Sequence, residues 1–68
     1  MKLEIYFSNG DYSKVNNVSD ICRYEQGIDD DTVLVLYKDN TNKLCAADDV
    51  STFIADNKKI IDNGKFVF

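Results

Sequence analysis

The stretch that most constrains this chain is Thr32–Tyr37, its longest unbroken run of β-branched and apolar residues. Alternation along a strand places Leu34 and Leu36 on one side of this run. The opposite side receives Val33 and Val35. A strand that is apolar on both sides belongs inside a sheet or between two layers. The sequence therefore predicts that Thr32–Tyr37 is the central strand of the domain.

The length of the chain predicts one small globular domain over residues 1–68. A chain of this size buries only about 60% of its unfolded surface, so its margin of stability is thin. Small domains often gain stability from disulfides, metals or self-association. Histidine is absent and there are only two cysteines, Cys22 and Cys45, so self-association is the support that stays open.

The N-terminal residues Met1–Glu4 place charges within the first apolar alternation, so we expect no signal peptide. No segment approaches the roughly 18 consecutive apolar residues of a membrane span. We therefore expect a cytoplasmic protein with no membrane association. In that reducing compartment both cysteines are expected to be free thiols, and a Cys22–Cys45 disulfide is the alternative.

The first predicted element is a strand over Lys2–Ser8, in which Leu3, Ile5 and Phe7 share one side. Asn9 and Gly10 then indicate a hairpin, because both residues tolerate positive φ. A two-residue loop would set Ile5 opposite Lys14 on the apolar side. We therefore favour a three-residue loop, 9–11, with a bulge at the glycine and Ile5 opposite Val15.

Two short helices are predicted after the two hairpins. Ser19 is a suitable N-cap and Gly27 a suitable stop for a helix near residues 19–25, with Ile21 on its apolar face. The alternative is a strand through Ile21 and Cys22, which would make the domain all-β. The second helix begins at Asp48 or Asp49, because Val50, Phe53 and Ile54 recur at helical spacing.

A weak internal repeat accompanies these elements. Residues 15–21 (VNNVSDI) and 47–53 (ADDVSTF) share the pattern apolar, Asx, Asx, Val, Ser, any, apolar. The second copy follows a turn at 39–42 and an expected antiparallel strand over Lys43–Ala47. Two copies of a strand–turn–strand–helix unit would explain this similarity, and so would two similar Asx-rich linkers before helices.

The C-terminal segment has the clearest hairpin pattern in the chain. A two-residue Asn63-Gly64 turn pairs Asp62 with Lys65 and Ile61 with Phe66, so opposite charges and large apolar groups face each other. The competing interpretation continues the second helix to Asp62. An edge that ends in apolar residues must be covered or paired. Either both phenylalanines fill the core, or Phe66, Val67 and Phe68 form a dimer edge.

These elements together predict an α+β fold. Its core is an antiparallel sheet of four to six strands around Thr32–Tyr37, with one or two short helices on one face. An all-β meander is the alternative.

The residue types required for common catalytic and metal sites are missing. Without histidine there is no usual general base, no nucleophilic triad and no common zinc site. An EF-hand loop needs an acid or amide at its fifth position. A loop starting at Asp29 has Val33 there, and one starting at Asp39 has Lys43. We therefore expect no enzyme, no cofactor and no metal, and we expect each cysteine to be a small buried hydrophobe.

The predicted function is that of a small, acidic, non-enzymatic protein-binding module, in one form an inhibitor or regulator from a phage or mobile element. The net charge of −4 argues against direct nucleic-acid binding. Aspartates can form a charged face that mimics phosphates, and tyrosines are enriched at protein interfaces. The expected partner-binding residues are Asp20, Asp29, Asp30, Asp31, Asp48, Asp49, Tyr6 and Tyr12. The alternative is a homodimer formed through a sheet edge and the surface aromatics.

Overall fold

The described residues form eight strands in two antiparallel sheets. The computed structural model describes residues 1–26 and 30–67, without the side chains of residues 25, 26 and 30. The five-stranded sheet has the order β2-β1-β6-β7-β8 and the three-stranded sheet the order β3-β4-β5. The strands are β1 (Leu3–Phe7), β2 (Tyr12–Val15), β3 (Val18–Gln26), β4 (Asp30–Tyr37), β5 (Asn42–Ala46), β6 (Val50–Ala55), β7 (Lys58–Asp62) and β8 (Lys65–Phe66).

Both sheets contribute to one hydrophobic core. Leu3, Phe53 and Ile61 of the five-stranded sheet are fully buried. Val33 and Val35 of the three-stranded sheet belong to the same cluster. The molecule is therefore a two-layer structure in which each sheet has an inner face toward the core and an outer face.

The predicted α+β class is wrong, because both predicted helices are strands. Residues 19–25 lie in β3, and the segment after Asp49 is β6. Within the described part of the chain, the helical structure is a single 3-10 turn, Ala47–Asp49. The all-β alternative is the one that the structure supports.

Two β-bulges explain why the apolar pattern of these strands predicts helices. Ser19 is the extra residue between the pairs Val18–Tyr37 and Asp20–Leu36. Ser51 has the same position between Val50–Phe7 and Thr52–Tyr6. An extra residue turns the strand period of two into a local spacing of three. Val50 and Phe53 therefore both point inward, and the apolar pattern imitates the i, i+3 period of a helix.

The first hairpin has the predicted loop length but a different register. Its loop is Ser8–Gly10, closed by bonds from the Phe7 N–H to the Asp11 carbonyl (2.8 Å) and from the Gly10 N–H to the Phe7 carbonyl (3.1 Å). Ile5 therefore faces Ser13 and not Val15. Gly10 has φ 95°, so the glycine ends the loop instead of lying at its centre. A shift of two residues preserves which side chains face inward, and Leu3 faces Val15.

The predicted single sheet of four to six strands around Thr32–Tyr37 is wrong, because β4 is the central strand of a separate three-stranded sheet, with Val33 and Val35 buried. The other strand predictions are confirmed. β5 returns antiparallel to β4. The Asn63-Gly64 turn pairs Asp62 with Lys65 and Ile61 with Phe66, as predicted. The predicted helix stop at Gly27 lies outside the described residues.

The two halves of the chain are related by a pseudo-two-fold exchange of strands. β1 pairs with its hairpin partner β2 and with β6 from the second half, while β4 pairs with β5 and with β3 from the first half. The backbone bonds at the exchange correspond: Ser8 N–H to Asp49 carbonyl (2.9 Å) and Lys38 N–H to Asn17 carbonyl (2.8 Å). The repeated Val-Ser motif occupies the equivalent bulge in both halves, so the repeat is present in the structure. The last element of each repeated unit is a strand and not the predicted helix.

The side chains of the two bulge serines correspond as well. The Ser19 hydroxyl donates to the Leu36 carbonyl (3.1 Å), and the Ser51 hydroxyl donates to the Tyr6 carbonyl (3.2 Å). Each hydroxyl links its bulge to the neighbouring strand, which is β4 for Ser19 and β1 for Ser51. The serine of the motif therefore stabilises the place where β3 or β6 pairs with a strand of the other half.

Candidate functional site

The outer face of the three-stranded sheet is apolar. Residues directly opposite each other in antiparallel strands share a face. The pairs Cys22–Leu34, Leu34–Leu44 and Asp20–Leu36 therefore place these side chains on the side away from the core. We call this surface the apolar outer face, and its members are Asp20, Cys22, Tyr24, Thr32, Leu34, Leu36, Asn42, Leu44 and Ala46.

This face leaves large apolar side chains in contact with solvent. Leu44 and Tyr24 are each 44% exposed. Cys22 is exposed, and Leu34 and Leu36 are half-buried. Among the side chains of this face that the structure describes, Asp20 is the one charged group. An antiparallel sheet with a solvated face normally alternates between apolar inward and polar outward residues, so this face has the composition of a surface that another molecule covers.

The outer face of the five-stranded sheet has a different composition. We call it the lysine face. Tyr6 lies opposite Tyr12 in its centre, with the ring centroids 4.8 Å apart and the rings tilted by 42°. Tyr6, Tyr12, Thr52 and Ile54 form the centre of this face, and four lysines and two acidic residues surround them. The surrounding residues are Lys2, Lys14, Lys59, Lys65, Glu4 and Asp62.

The proximity predicted for Tyr6 and Tyr12 is confirmed. Tyr6 is 43% exposed and Tyr12 51% exposed. Partial desolvation raises the pKa of the Tyr12 phenol, and the nearby Tyr6 and Glu4 act in the same direction. The Tyr12 phenol is therefore a neutral hydrogen-bonding group at physiological pH, and both tyrosines lie on an accessible surface.

The predicted acidic residues lie on several elements. Asp20 belongs to the apolar outer face, and Asp48 and Asp49 are the exposed residues of the 3-10 turn. The Asp31 carboxylate accepts a hydrogen bond from Arg23 at 2.9 Å. Asp30 begins β4. Asp29 lies outside the described residues, so the predicted phosphate-mimicking face remains a prediction.

The two cysteines lie on opposite sides of the three-stranded sheet. Cys45 points into the core opposite Val33, and Cys22 points outward opposite Leu34. Both are free thiols, one buried and one exposed. Burial raises the pKa of the Cys45 thiol. The prediction of a buried hydrophobe is confirmed for Cys45 and wrong for Cys22.

The predicted dimer edge is partly described. β8 is an edge strand of the five-stranded sheet. Phe66 packs against the core, and its ring lies 4.4 Å from the Arg23 guanidinium carbon. Val67 is 51% exposed. Phe68 is outside the described residues.

Two depressions are less suited to a specific ligand. One, of about 100 Å³, is apolar and is lined by Ile21, Cys22, Arg23, Val33, Ile60 and Phe66. The other, of about 510 Å³, is an open surface depression lined by Phe7, Ser8, Asn9, Asp11, Lys43 and Asp49.

Among the described side chains, no group of three or more cysteine, aspartate or glutamate residues is placed to hold a metal ion. Likewise, no helix in residues 1–26 or 30–67 is long and apolar enough to cross a membrane. Comparison with protein-family models, with curated proteins and with solved structures finds no match for this chain.

Sequence reasoning found only part of the apolar outer face. Leu34 and Leu36 follow from the alternation in Thr32–Tyr37. Cys22 and Tyr24 lie in a predicted helix, so the sequence pattern does not place them on this face. Cys22 and Tyr24 lie on the same side of β3, and the exposed Leu44 lies across the sheet on that side. These residues can be joined into one face only when the pairing of the strands is known.

Proposed function

We propose that this chain is a non-enzymatic protein-binding module whose docking surface is the apolar outer face. The observation that carries the proposal is a set of three leucines, one tyrosine and one thiol, each at least partly exposed, on one face of the sheet. Such surfaces in small proteins mark sites of association. A partner that buries them gains about 25 cal/mol for each Å² of apolar surface removed from water.

The pseudo-two-fold relation supports this proposal with an internal control. The cross-strand pair Glu4–Lys14 on the lysine face is equivalent to Leu34–Leu44 on the apolar outer face. The same strand geometry therefore accepts a charged pair in one half of the molecule. The fold does not require leucine at these outward positions, so we assign the leucines to association and not to folding.

The internal control also supplies the test variant. Leu34→Glu together with Leu44→Lys places the Glu4–Lys14 pair on the apolar outer face without changing the net charge. A matched control, Tyr12→Asn, changes the lysine face at an equally exposed edge-strand position to the residue present at the equivalent Asn42. Far-UV circular dichroism and thermal unfolding establish that both variants are folded.

The experiment is affinity capture from a lysate of the cells that produce the chain, with wild type, the double variant and the control as baits. The proposal predicts a protein, a second copy of this chain included, that wild type and Tyr12→Asn retain and the double variant loses. Retention of the same proteins by all three folded baits would contradict it, as would capture of nothing by wild type.

A further inference from the structure

The lysine face combines two accessible aromatic rings with a local excess of positive charge. Among the side chains that the structure describes, this face holds four of the chain's eight basic residues and two of its twelve acidic residues, a net charge of +2. Tyr6 and Tyr12 are both exposed, and their ring centroids are 4.8 Å apart. The strand pairing therefore gathers lysines around the tyrosine pair, although the chain as a whole is acidic.

Two of these lysines lie on the two edge strands of the five-stranded sheet. Lys14 follows Tyr12 at a spacing of two residues on β2, and Lys65 lies on β8 at the opposite edge. Both lysines are exposed. Four strand spacings separate β2 from β8, which is roughly 19 Å. About six nucleotides cover this distance at the 3.4 Å spacing of phosphates along one strand.

The acidic residues of this face neutralise part of its charge. Lys2 lies 4.0 Å from Glu4, and Lys59 lies 3.9 Å from Asp62. All four side chains are in contact with solvent, and ion pairs of this kind are weak. Asp56 lies beyond the end of β6, and its carboxylate accepts a hydrogen bond from the Lys2 N–H at 2.8 Å. These carboxylates oppose a polyanion, so their removal gives a test with a defined direction.

We propose that the lysine face binds a short segment of single-stranded nucleic acid, with bases on the Tyr6 and Tyr12 rings and phosphates on the surrounding lysines. Proteins that bind single strands combine a cationic surface with aromatic rings on which the bases stack. Lysines without rings would fit any polyanion, whereas lysines beside exposed rings fit a polyanion that carries bases. This binding is separate from the proposed function, because it assigns a ligand to the opposite side of the molecule.

The acidic balance of the whole chain limits the affinity but does not decide what this face attracts. Salt screens interactions between exposed charges beyond about 10 Å at 0.1 M. Packed sheets lie about 10 Å apart, so acids on the three-stranded sheet lie at or beyond this distance from a bound strand. The expectation of no direct nucleic-acid binding uses the net charge of −4. That sum does not contain the strand pairing that gathers the four lysines.

Fluorescence anisotropy tests the binding, with labelled oligothymidylate and oligouridylate of about ten nucleotides as probes. In about 50 mM salt we expect a Kd on the order of 100 µM, the weak end of non-specific binding. A log–log plot of the association constant against salt should have a slope of about −0.7 for each phosphate contacted. The probe that binds more tightly identifies DNA or RNA as the source. Binding of neither probe up to about 1 mM protein would overturn the proposal.

Charge variants test the role of the lysines. Lys14→Gln and Lys65→Gln should each weaken binding and make the salt slope shallower by about 0.7. Glu4→Gln should strengthen binding, because it removes a negative charge from the face. Lys38→Gln is the matched control, since Lys38 is exposed in the turn after β4 and outside the lysine face. An equal effect of Lys38→Gln and Lys14→Gln would overturn the proposal, as would weaker binding by Glu4→Gln.

Ring variants separate base stacking from attraction of charge alone. Tyr12→Phe keeps the ring and should keep the affinity, whereas Tyr12→Leu should weaken binding by about 5-fold or more. Equal affinities of the two variants would overturn the proposal, as would competition by inorganic polyphosphate as effective as that by unlabelled oligothymidylate of equal charge. Tyr12 is exposed on an edge strand, and circular dichroism establishes that both variants are folded. Should Tyr12→Leu fail to fold, the polyphosphate competition with wild type decides the same question.

Discussion

The two outer faces of this molecule have equivalent backbones and different side chains. Position 4 faces position 14 in one half, and position 34 faces position 44 in the other. The first pair is Glu and Lys, and the second is Leu and Leu. The comparison shows at which positions the fold requires apolar residues and at which it does not. The inner faces of both halves are apolar because they form the core, whereas the composition of an outer face is free to serve association.

The inner faces allow the comparison to be tested by stability. Phe53 and Ile21 are equivalent inward positions next to the bulges, but Phe53 is fully buried and Ile21 is half-buried. Phe53→Ala should cost about 3–5 kcal/mol of unfolding free energy through transfer and cavity terms. Ile21→Ala should cost less, since less of its surface leaves water. Urea unfolding of both variants checks this order. Equal losses would contradict the assigned positions of the two residues.

The cysteines report the difference between an inner and an outer position in one sheet. Cys22 should react with a thiol reagent in the native state, while Cys45 should react only on opening of the core, because it is 6% exposed and burial raises its pKa. We expect a rate ratio on the order of 100 or more. Peptide mapping after brief alkylation gives both rates. Comparable labelling would show that the strand pairing is wrong.

The bulge serines test whether the two halves are equivalent. Ser19→Ala and Ser51→Ala each remove one hydroxyl that donates to the strand across the bulge. Each should cost about 0.5–1.5 kcal/mol, with similar losses at the two positions. Thermal unfolding of both variants measures the difference. A large loss at one position and none at the other would remove the pseudo-symmetric account of the bulges.

The hairpin loops give the smallest expected difference, and it depends on pH. In one loop the Thr41 hydroxyl and N–H donate to Asp39, which lowers the pKa of Asp39 from 3.8. In the other, Asn9 accepts from the Asp11 N–H at 2.9 Å. A lowered folded pKa means that the stabilisation is complete above about 3.8 and is lost as the pH falls through the folded value.

Asp39→Ala should therefore reduce stability at neutral pH and have a progressively smaller effect in acid. Asp39→Asn should be milder, because Asn9 shows that an amide oxygen can close an equivalent loop. Urea unfolding of the three chains at several pH values measures both expectations. A deficit of Asp39→Ala that grows on acidification would contradict the assigned sign.

Local pattern was sufficient to predict the strands with uninterrupted alternation and the Asn63-Gly64 turn. It failed where Ser19 and Ser51 insert an extra residue. A bulge places the inward-facing apolar residues on its two sides three positions apart, and a short amphipathic helix has the same spacing. The exchange of β3 and β6 between the two halves depends on long-range pairing, which no local pattern contains. The apolar outer face is defined by that pairing, so only its Leu34 and Leu36 could be predicted.

The most direct test of the central claim is the alkylation rate of the Cys22 thiol, which lies on the apolar outer face, in dilute purified protein and in an extract of the producing cells. Cys45 serves as the unreactive reference. If another molecule covers this face, Cys22 should react more slowly in the extract, and Leu34→Glu with Leu44→Lys should restore the rate of the purified protein. Equal rates for wild type in the two conditions would contradict the claim that the apolar outer face is a docking surface.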